Sequence, residues 1–290
     1  MNDSNDTREF AFRIVNVFAE DRLAGNPLAV FENAEGLSDA DMQALALQFN
    51  LSETTFILPS TIADARVRIF TPTFEMPFAG HPTLGSAHVV RALAGAGDAL
   101  GLEMLAGTIA VIAHGDVWTL EAKPPVTRMV GASRDELAAM LGLAVSDLGA
   151  TPLWVDTGSE QLVIPLASAD AVRRCAPDAA LVARIGSVQL ARGVVRAMAY
   201  VWAEDVPGSI LARFFFPKHG AIVEDPGTGS ACANLGGWLV ATGASLPKQW
   251  SIAQGEAVGR RCKLGLGVDS GGRIFVSGRV IELGRGAIRL

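Results

Sequence analysis

The sequence predicts an α+β chain of two pseudo-symmetric lobes, on three observations. Strand signals dominate its first third, a strand–turn–helix segment recurs at half the chain length, and an apolar helix follows each copy. In the first copy Arg68-Ile69-Phe70-Thr71-Pro72 precedes His81-Pro82-Thr83-Leu84-Gly85-Ser86-Ala87. In the second, Arg213-Phe214-Phe215-Phe216-Pro217 precedes Asp225-Pro226-Gly227-Thr228-Gly229-Ser230-Ala231. Arg68 and Arg213 lie 145 residues apart, and His81 and Asp225 lie 144 apart, close to half of 290. The same order at one offset reads as an internal duplication, and it sets His81 and Asp225 at matching positions.

Each element follows from its local pattern. Phe10–Phe18 alternates with a period near two and is rich in β-branched and aromatic residues, as a strand requires. Gly25-Asn26-Pro27 reads as a turn, and Leu28-Ala29-Val30-Phe31 as the strand after it. Ser38 caps a helix with Asp39 and Asp41 in its first turn and Met42, Leu45, Ala46 and Phe49 at helical spacing. Leu51–Pro59 and Ala65–Pro72 are strands ended by proline. The helix after His81 runs through Val89, Val90 and Leu93, and its counterpart after Asp225 through Leu235, Trp238, Leu239 and Val240. At Pro124-Pro125 the strand pattern stops, marking a lobe boundary. The next helices start at Ser133, with Asp135 and Glu136 in the first turn, and near Ser168, with Val172 and Cys175 facing inward.

Composition removes several function classes. Half of the residues are apolar and 19% are charged, which excludes a disordered chain. Three cysteines cannot staple a disulfide scaffold of this length. A net charge of −6 with no basic stripe argues against nucleic acid; the densest basic cluster is the short Gly259–Lys263. No apolar run is long enough to span a bilayer, and the polar Met1–Asp6 lacks the basic start and apolar core of a signal peptide. No membrane partner and a cytoplasmic location are therefore expected. The low charge leaves apolar surface available for a subunit interface.

The chemistry is expected where the two copies face each other. Each copy sets a glycine-containing turn before an apolar helix: Gly85-Ser86-Ala87, and Gly227-Thr228-Gly229-Ser230. A helix start carries unpartnered N–H groups and a positive dipole end, which together bind anions. No lysine follows the second glycine as a phosphate loop needs, so a carboxylate fits better than a nucleotide phosphate. His81 and Asp225 are acid/base candidates, though a histidine or aspartate there also serves as a plain helix cap. Glu53 lies in the otherwise apolar Leu51–Phe56. Buried, it would resist ionisation and suit proton transfer near neutral pH; on an edge strand it would face solvent, and periodicity leaves both readings open.

Four blocks then stand out in order along most of the chain: Gly25-Asn26-Pro27-Leu28-Ala29-Val30-Phe31, Ser52-Glu53-Thr54-Thr55-Phe56, Phe78-Ala79-Gly80-His81-Pro82-Thr83-Leu84-Gly85, and Glu224-Asp225-Pro226-Gly227-Thr228-Gly229-Ser230-Ala231. Together they resemble the PhzF-like phenazine biosynthesis family. The resemblance implies a diaminopimelate epimerase-like fold, each lobe a β-barrel-like sheet wrapped around a central helix. It implies an N-terminal lobe over residues 1–124, joined by a C-terminal strand within 270–290 near Ile274–Gly278, and a C-terminal lobe over 125–269. The active site then lies in the cleft between lobes, without cofactor or metal, in a homodimer. In the family's type reaction trans-2,3-dihydro-3-hydroxyanthranilate is isomerised. By resemblance Glu53 is the proton shuttle, and His81 and Asp225 hold and polarise the substrate. Ser230 and Gly80 help bind it, and both helix starts, with Gly85, Ser86, Gly227, Thr228 and Gly229, take its carboxylate.

Related epimerases and racemases of this fold use two opposed cysteines, which would fall near Ala79 and Pro226; neither position is cysteine. Cys232 reads as a packed core thiol, Cys175 and Cys262 lack metal spacing, and His88 with His81 lacks a third ligand. His114 and His219 read as surface or turn residues. The expected function is a cofactor-independent isomerase that moves a proton on a small carboxylate-bearing substrate. Two alternatives are an amino-acid epimerase of the same fold without thiols, and a non-catalytic carboxylate-binding or partner protein.

Overall fold

A computed structural model describes residues 8–189 and 195–290. The acidic Met1–Asp6 lies outside the described residues. The chain forms two compact units: one runs to Leu120 and resumes at Arg279–Leu290, the other is Glu121–Gly278. In chain order the elements begin with β1 (Glu9–Val17), β2 (Asn26–Phe31), α1 (Asp39–Phe49), β3 (Thr54–Leu58), β4 (Ala65–Phe70), β5 (Glu75–Met76) and α2 (Gly80–Ala94). Next come β6 (Ala99–Met104), β7 (Gly107–His114), β8 (Val117–Glu121), β9 (Val126–Met129), α3 (Arg134–Leu141), β10 (Leu153–Asp156) and β11 (Glu160–Pro165). They continue with α4 (Ala169–Arg174), α5 (Ala179–Ile185), β12 (Ser187–Gln189), β13 (Val195–Ala197), β14 (Ala199–Val206), β15 (Ser209–Lys218) and β16 (Ala221–Asp225). The last are α6 (Gly229–Ala241), β17 (Lys248–Gln254), β18 (Cys262–Val268) and β19 (Ile274–Arg289). This is the α+β class that the sequence predicts.

In the N-terminal unit eight strands close on themselves. The ring runs β19-β1-β2-β3-β4-β6-β7-β8, and β8 returns to β19, where the Val280 N–H donates to the Asp116 carbonyl. The pairs β2–β3 and β4–β6 are parallel, and the others with printed register are antiparallel. Closure leaves no free strand edge in the ring. The second unit repeats the scheme: β9-β10-β11-β14-β15-β17-β18-β19, with β11–β14 and β15–β17 the parallel pairs. Ala122 donates to the Ile274 carbonyl and Lys123 to that of Thr157, which carries the ring past β9. The strand pattern therefore resumes right after Pro124-Pro125, as the short, exposed β9. The five residues Ile274–Gly278 belong to the second unit, the first four of them paired with β18; the return to β1 is made by the later residues of the same strand.

Each ring encloses one helix. α2 packs on β1, β2, β3, β4 and β6, and α6 on β9, β10, β11 and β18. Surrounded on all sides, such a helix needs apolar or small residues around its whole circumference rather than along one stripe. Residues Gly80–Ala87, Val89 and Val90 of α2 are buried, as are ten of the thirteen residues of α6. Glycine is required where the wall comes closest. A Cβ on Gly85 would lie 2.6 Å from Leu28 Cδ2 and 3.0 Å from Val17 Cγ2, and one on Gly237 would lie 2.7 Å from Val155 Cγ1 and 2.8 Å from Pro125 Cβ. Alternation along β1–β4 turns Val15, Val17, Leu28 and Thr55 toward α2. The opposite set, Phe31, Phe56 and Phe70, packs against Met42, Leu45 and Ala46 of α1. Phe31 stacks on Phe56 at 4.8 Å between centroids, and Phe56 meets Phe70 edge-on at 5.5 Å.

The predicted caps are all present. Ser38 and Ser133 each form a reciprocal capping box, with Asp41 and Glu136, and Ser168 accepts from the Ala171 N–H. Val172 and Cys175 are buried. Leu93, expected on the apolar face, is instead exposed near the end of α2, where the helix emerges from its ring. Among the described residues no helix is long and apolar enough to cross a membrane. Valine at Gly85 or Gly237 overfills the space between helix and wall. Each substitution is expected to lower stability by about 1–3 kcal/mol in urea titrations; unchanged midpoints would show that the walls yield.

Candidate active site

The N-terminal unit holds its predicted site residues at the start of β3 and the start of α2. Glu53 stands one residue before β3, so it shares a face with Thr55, two residues on, and that face looks onto α2. β3 is paired on both sides, which removes the edge-strand reading of Glu53. Its carboxylate Oε2 lies 3.5 Å from His81 Nε2, and the side chains are 15% and 7% exposed. His81 is in the first turn of α2, with Nδ1 3.5 Å from Asn26 Nδ2. Burial holds the imidazole neutral by pushing its pKa down to about 3. Pro82 follows in the same turn, where its missing N–H costs nothing. Thr83 already donates to the Ala79 carbonyl, so Gly80 and His81 are the residues whose N–H groups the helix itself leaves without a partner.

Gly85 and Ser86 sit elsewhere than expected. The helix starts at Gly80, not after Gly85, because Pro82 is tolerated within a first turn. Both residues are therefore in the second turn. Gly85 lies against the strand wall, and the fully buried Ser86 donates to Thr55 Oγ1 at 2.9 Å. They support the strand that carries Glu53.

In the second unit Asp225 ends β16. Thr228 Oγ1 donates to its Oδ2 at 2.5 Å, and the buried Gln254 donates to the Asp225 carbonyl at 2.9 Å and to Thr228 Oγ1 at 3.0 Å. The Thr228 N–H in turn donates to Gln254 Oε1 at 3.3 Å. Gly255, at φ +80°, lets this turn close: a Cβ there would lie 2.4 Å from the Pro226 carbonyl oxygen. α6 starts at Gly229, so Gly229 and Ser230 present first-turn N–H groups. Gly227 lies in the loop between β16 and the helix.

His81 and Asp225 do not occupy equivalent positions. Arg68 pairs with Glu75 and lies over the Phe70 ring; Arg213 pairs with Glu224 and lies over the Phe215 ring. The arginines and phenylalanines are 145 residues apart, but the glutamates, Glu75 and Glu224, and the helix starts, Gly80 and Gly229, are 149 apart. The four additional residues are absorbed by the longer β15–β16 hairpin, which includes His219 in the left-handed region. Asp225 thus corresponds to Met76 at the end of β5. The shared spelling Pro-x-x-Gly-Ser-Ala lies five residues out of structural register.

Sequence reasoning missed Asn26, Gln161, Asn234 and Gln254. The first was absorbed into a turn, although it begins β2. The other three carried a usable signal: an amide inside an otherwise apolar strand or helix must find buried partners. The cysteines stay outside the chemistry, since all three are buried and burial pushes their thiols up. Among the described residues no group of three His, Cys, Asp or Glu could hold a metal ion.

The family model described as phenazine biosynthesis-like protein matches residues 15–283. An uncharacterized isomerase of Pasteurella multocida is 39% identical over 282 residues, covering 96% of this chain and 94% of its own. The trans-2,3-dihydro-3-hydroxyanthranilate isomerase of Pseudomonas chlororaphis is 34% identical over 288 residues, covering 96% and 98%. Among solved structures, a PhzF-family phenazine biosynthesis protein of Bacillus anthracis has a TM-score of 0.83 at 21% identity, covering 97% of this chain and 99% of that one. It shares the fold.

His81 makes stability depend on pH. Its folded pKa lies below the unfolded value of about 6.5, so the unfolded chain binds the extra proton as pH falls through that value, and stability is lost. Between pH 6 and 5 the wild type should lose about 1 kcal/mol more than His81→Gln in parallel urea titrations. Equal losses would mean that the imidazole is not held neutral.

Proposed function

The chain belongs to the phenazine biosynthesis-like protein family and is an isomerase, and we propose that it moves a proton between carbons of a small carboxylate-bearing substrate, of the trans-2,3-dihydro-3-hydroxyanthranilate type, with Glu53 as acid and base. The observation that carries this reading is the Glu53–His81 pair, 3.5 Å apart, with Glu53 half-buried and the histidine buried and neutral. Asn26 offers an N–H to His81 Nδ1, which favours the tautomer with hydrogen on Nε2, facing Glu53. A neutral donor at that position supports a carboxylate without consuming its charge. Glu53 accepts a proton from one substrate carbon and returns it to another, so atoms and oxidation level balance within the substrate, with no cofactor called for.

The remaining residues hold the substrate. Thr228 and Gln254 orient Asp225 as an acceptor for the substrate's amino or hydroxyl hydrogens. The N–H groups of Gly80 and His81, and those of Gly229 and Ser230 beside Gly227 and Thr228, suit a carboxylate. Gly85 and Ser86 act from behind, through packing and Thr55.

Incubation with trans-2,3-dihydro-3-hydroxyanthranilate in heavy water, followed by proton NMR, tests the reading. Deuterium should enter the product at one carbon, and Glu53→Gln should slow turnover by about 100-fold or more. Undiminished turnover in that variant would remove Glu53 from the chemistry. Inversion of free amino acids in its place would favour the epimerase reading.

A further inference from the structure

Beneath the α6 start lies a chain of hydrogen bonds whose direction is fixed by backbone groups. Thr157 donates its N–H at 2.9 Å and its hydroxyl at 2.6 Å to Asn234 Oδ1. Asn234 Nδ2 donates to the Ser159 carbonyl at 2.8 Å and to Gln161 Oε1 at 2.8 Å. Gln161 Nε2 donates to Ser230 Oγ at 2.9 Å. A backbone N–H can only donate and a backbone carbonyl can only accept. Thr157 and Ser159 therefore fix which end of the Asn234 amide is oxygen. Asn234 then presents hydrogen to Gln161, so Gln161 must turn its oxygen to Asn234 and its NH₂ to Ser230. Asn234 is fully buried and Gln161 is 3% exposed, so water does not offer either amide an alternative partner.

We propose that Gln161 and Asn234 are positioning residues that make the Ser230 hydroxyl an obligate donor toward the ligand, selecting an acceptor oxygen such as a carboxylate. With one lone pair taken by Gln161, the hydroxyl hydrogen points elsewhere. At the helix start it joins the N–H groups of Gly229 and Ser230, so three donors serve one anionic group. The ligand's identity rests on the isomerase reading above; the polarity of the relay does not.

Gln161→Glu is the decisive variant. Its carboxylate still accepts from Asn234, but its other oxygen accepts from Ser230 and pulls the hydroxyl hydrogen inward. Protonation of that carboxyl at lower pH restores a donor toward Ser230, a signature that a merely structural role would not give. Titration calorimetry with 3-hydroxyanthranilate as the probe should show binding weakened about 10- to 100-fold at pH 8 in Gln161→Glu. Ser230→Ala should lose as much, the double variant no more than Ser230→Ala alone, and Gln161→Glu should recover toward wild type as pH falls. Unchanged affinity in Gln161→Glu, or additive losses in the double variant, would overturn the proposal. Neutron diffraction from deuterated wild-type crystals reads the polarity without any ligand. Deuterium on Ser230 Oγ pointing away from Gln161 supports the relay, and deuterium pointing toward Gln161 overturns it. Correct polarity in a wild type that does not bind the probe would support the relay and count against the substrate assignment alone.

Discussion

Enclosing a helix in a ring of strands is the constraint from which the rest of this molecule follows. A helix touched on every side has no face for charged residues, so α2 and α6 are apolar or small almost throughout. It must also come within van der Waals reach of strands all around, which explains Gly85 against Leu28 and Gly237 against Val155 and Pro125. Several of the polar groups such a helix keeps are paired deep inside, as Ser86 is with Thr55 and Asn234 with Thr157, or gathered at its N-terminal end. At one end of each helix, N–H groups that the helix itself leaves unpartnered thus meet the few side chains that burial tolerates.

The two units apply this solution twice, with different polar contents. The Arg68–Glu75 and Arg213–Glu224 pairs, each with its arginine over a phenylalanine, brace the same hairpin in both. Arg213 goes further and donates to the Cys175 carbonyl, tying α4 to the sheet. At the helix starts the copies diverge. The first carries a neutral histidine beside a glutamate. The second carries an aspartate oriented by a threonine and a glutamine, and a serine seated on an amide relay. The first copy thus keeps a titratable pair at its helix start, and the second a set of oriented hydrogen-bonding groups.

The caps, the strands of the first third and the two enclosed helices were legible in the sequence because each depends on neighbours a few residues away. Ser38 and Ser133 show this most plainly, since a cap and its third residue suffice to form the box. The equivalence of His81 and Asp225 was misread because spelling is not register: four residues in the β15–β16 hairpin shift everything after it, and hairpin length is invisible to a motif. The start of α2 was set too late for a related reason, since Pro82 resembles a boundary but fits a first turn. Glu53 was ambiguous until β3 was seen to be paired on both edges, a long-range fact. Asn234 and Gln161 were the overlooked clue. Isolated amides in apolar segments announce a buried polar network even when their partners lie some seventy residues away.

Central to the proposed function is a single carboxyl group, that of Glu53, taken to carry a hydrogen from one carbon of the substrate to another. The most direct test places deuterium on the carbon of trans-2,3-dihydro-3-hydroxyanthranilate that loses its hydrogen and follows the first turnover in ordinary water. A Glu53 shuttle, half-buried beside His81, predicts that a measurable share of the label reaches the receiving carbon in the same molecule before solvent washes it out. Product that carries no label at that carbon even in the first turnover would contradict a single-group shuttle and would call for separate acid and base groups.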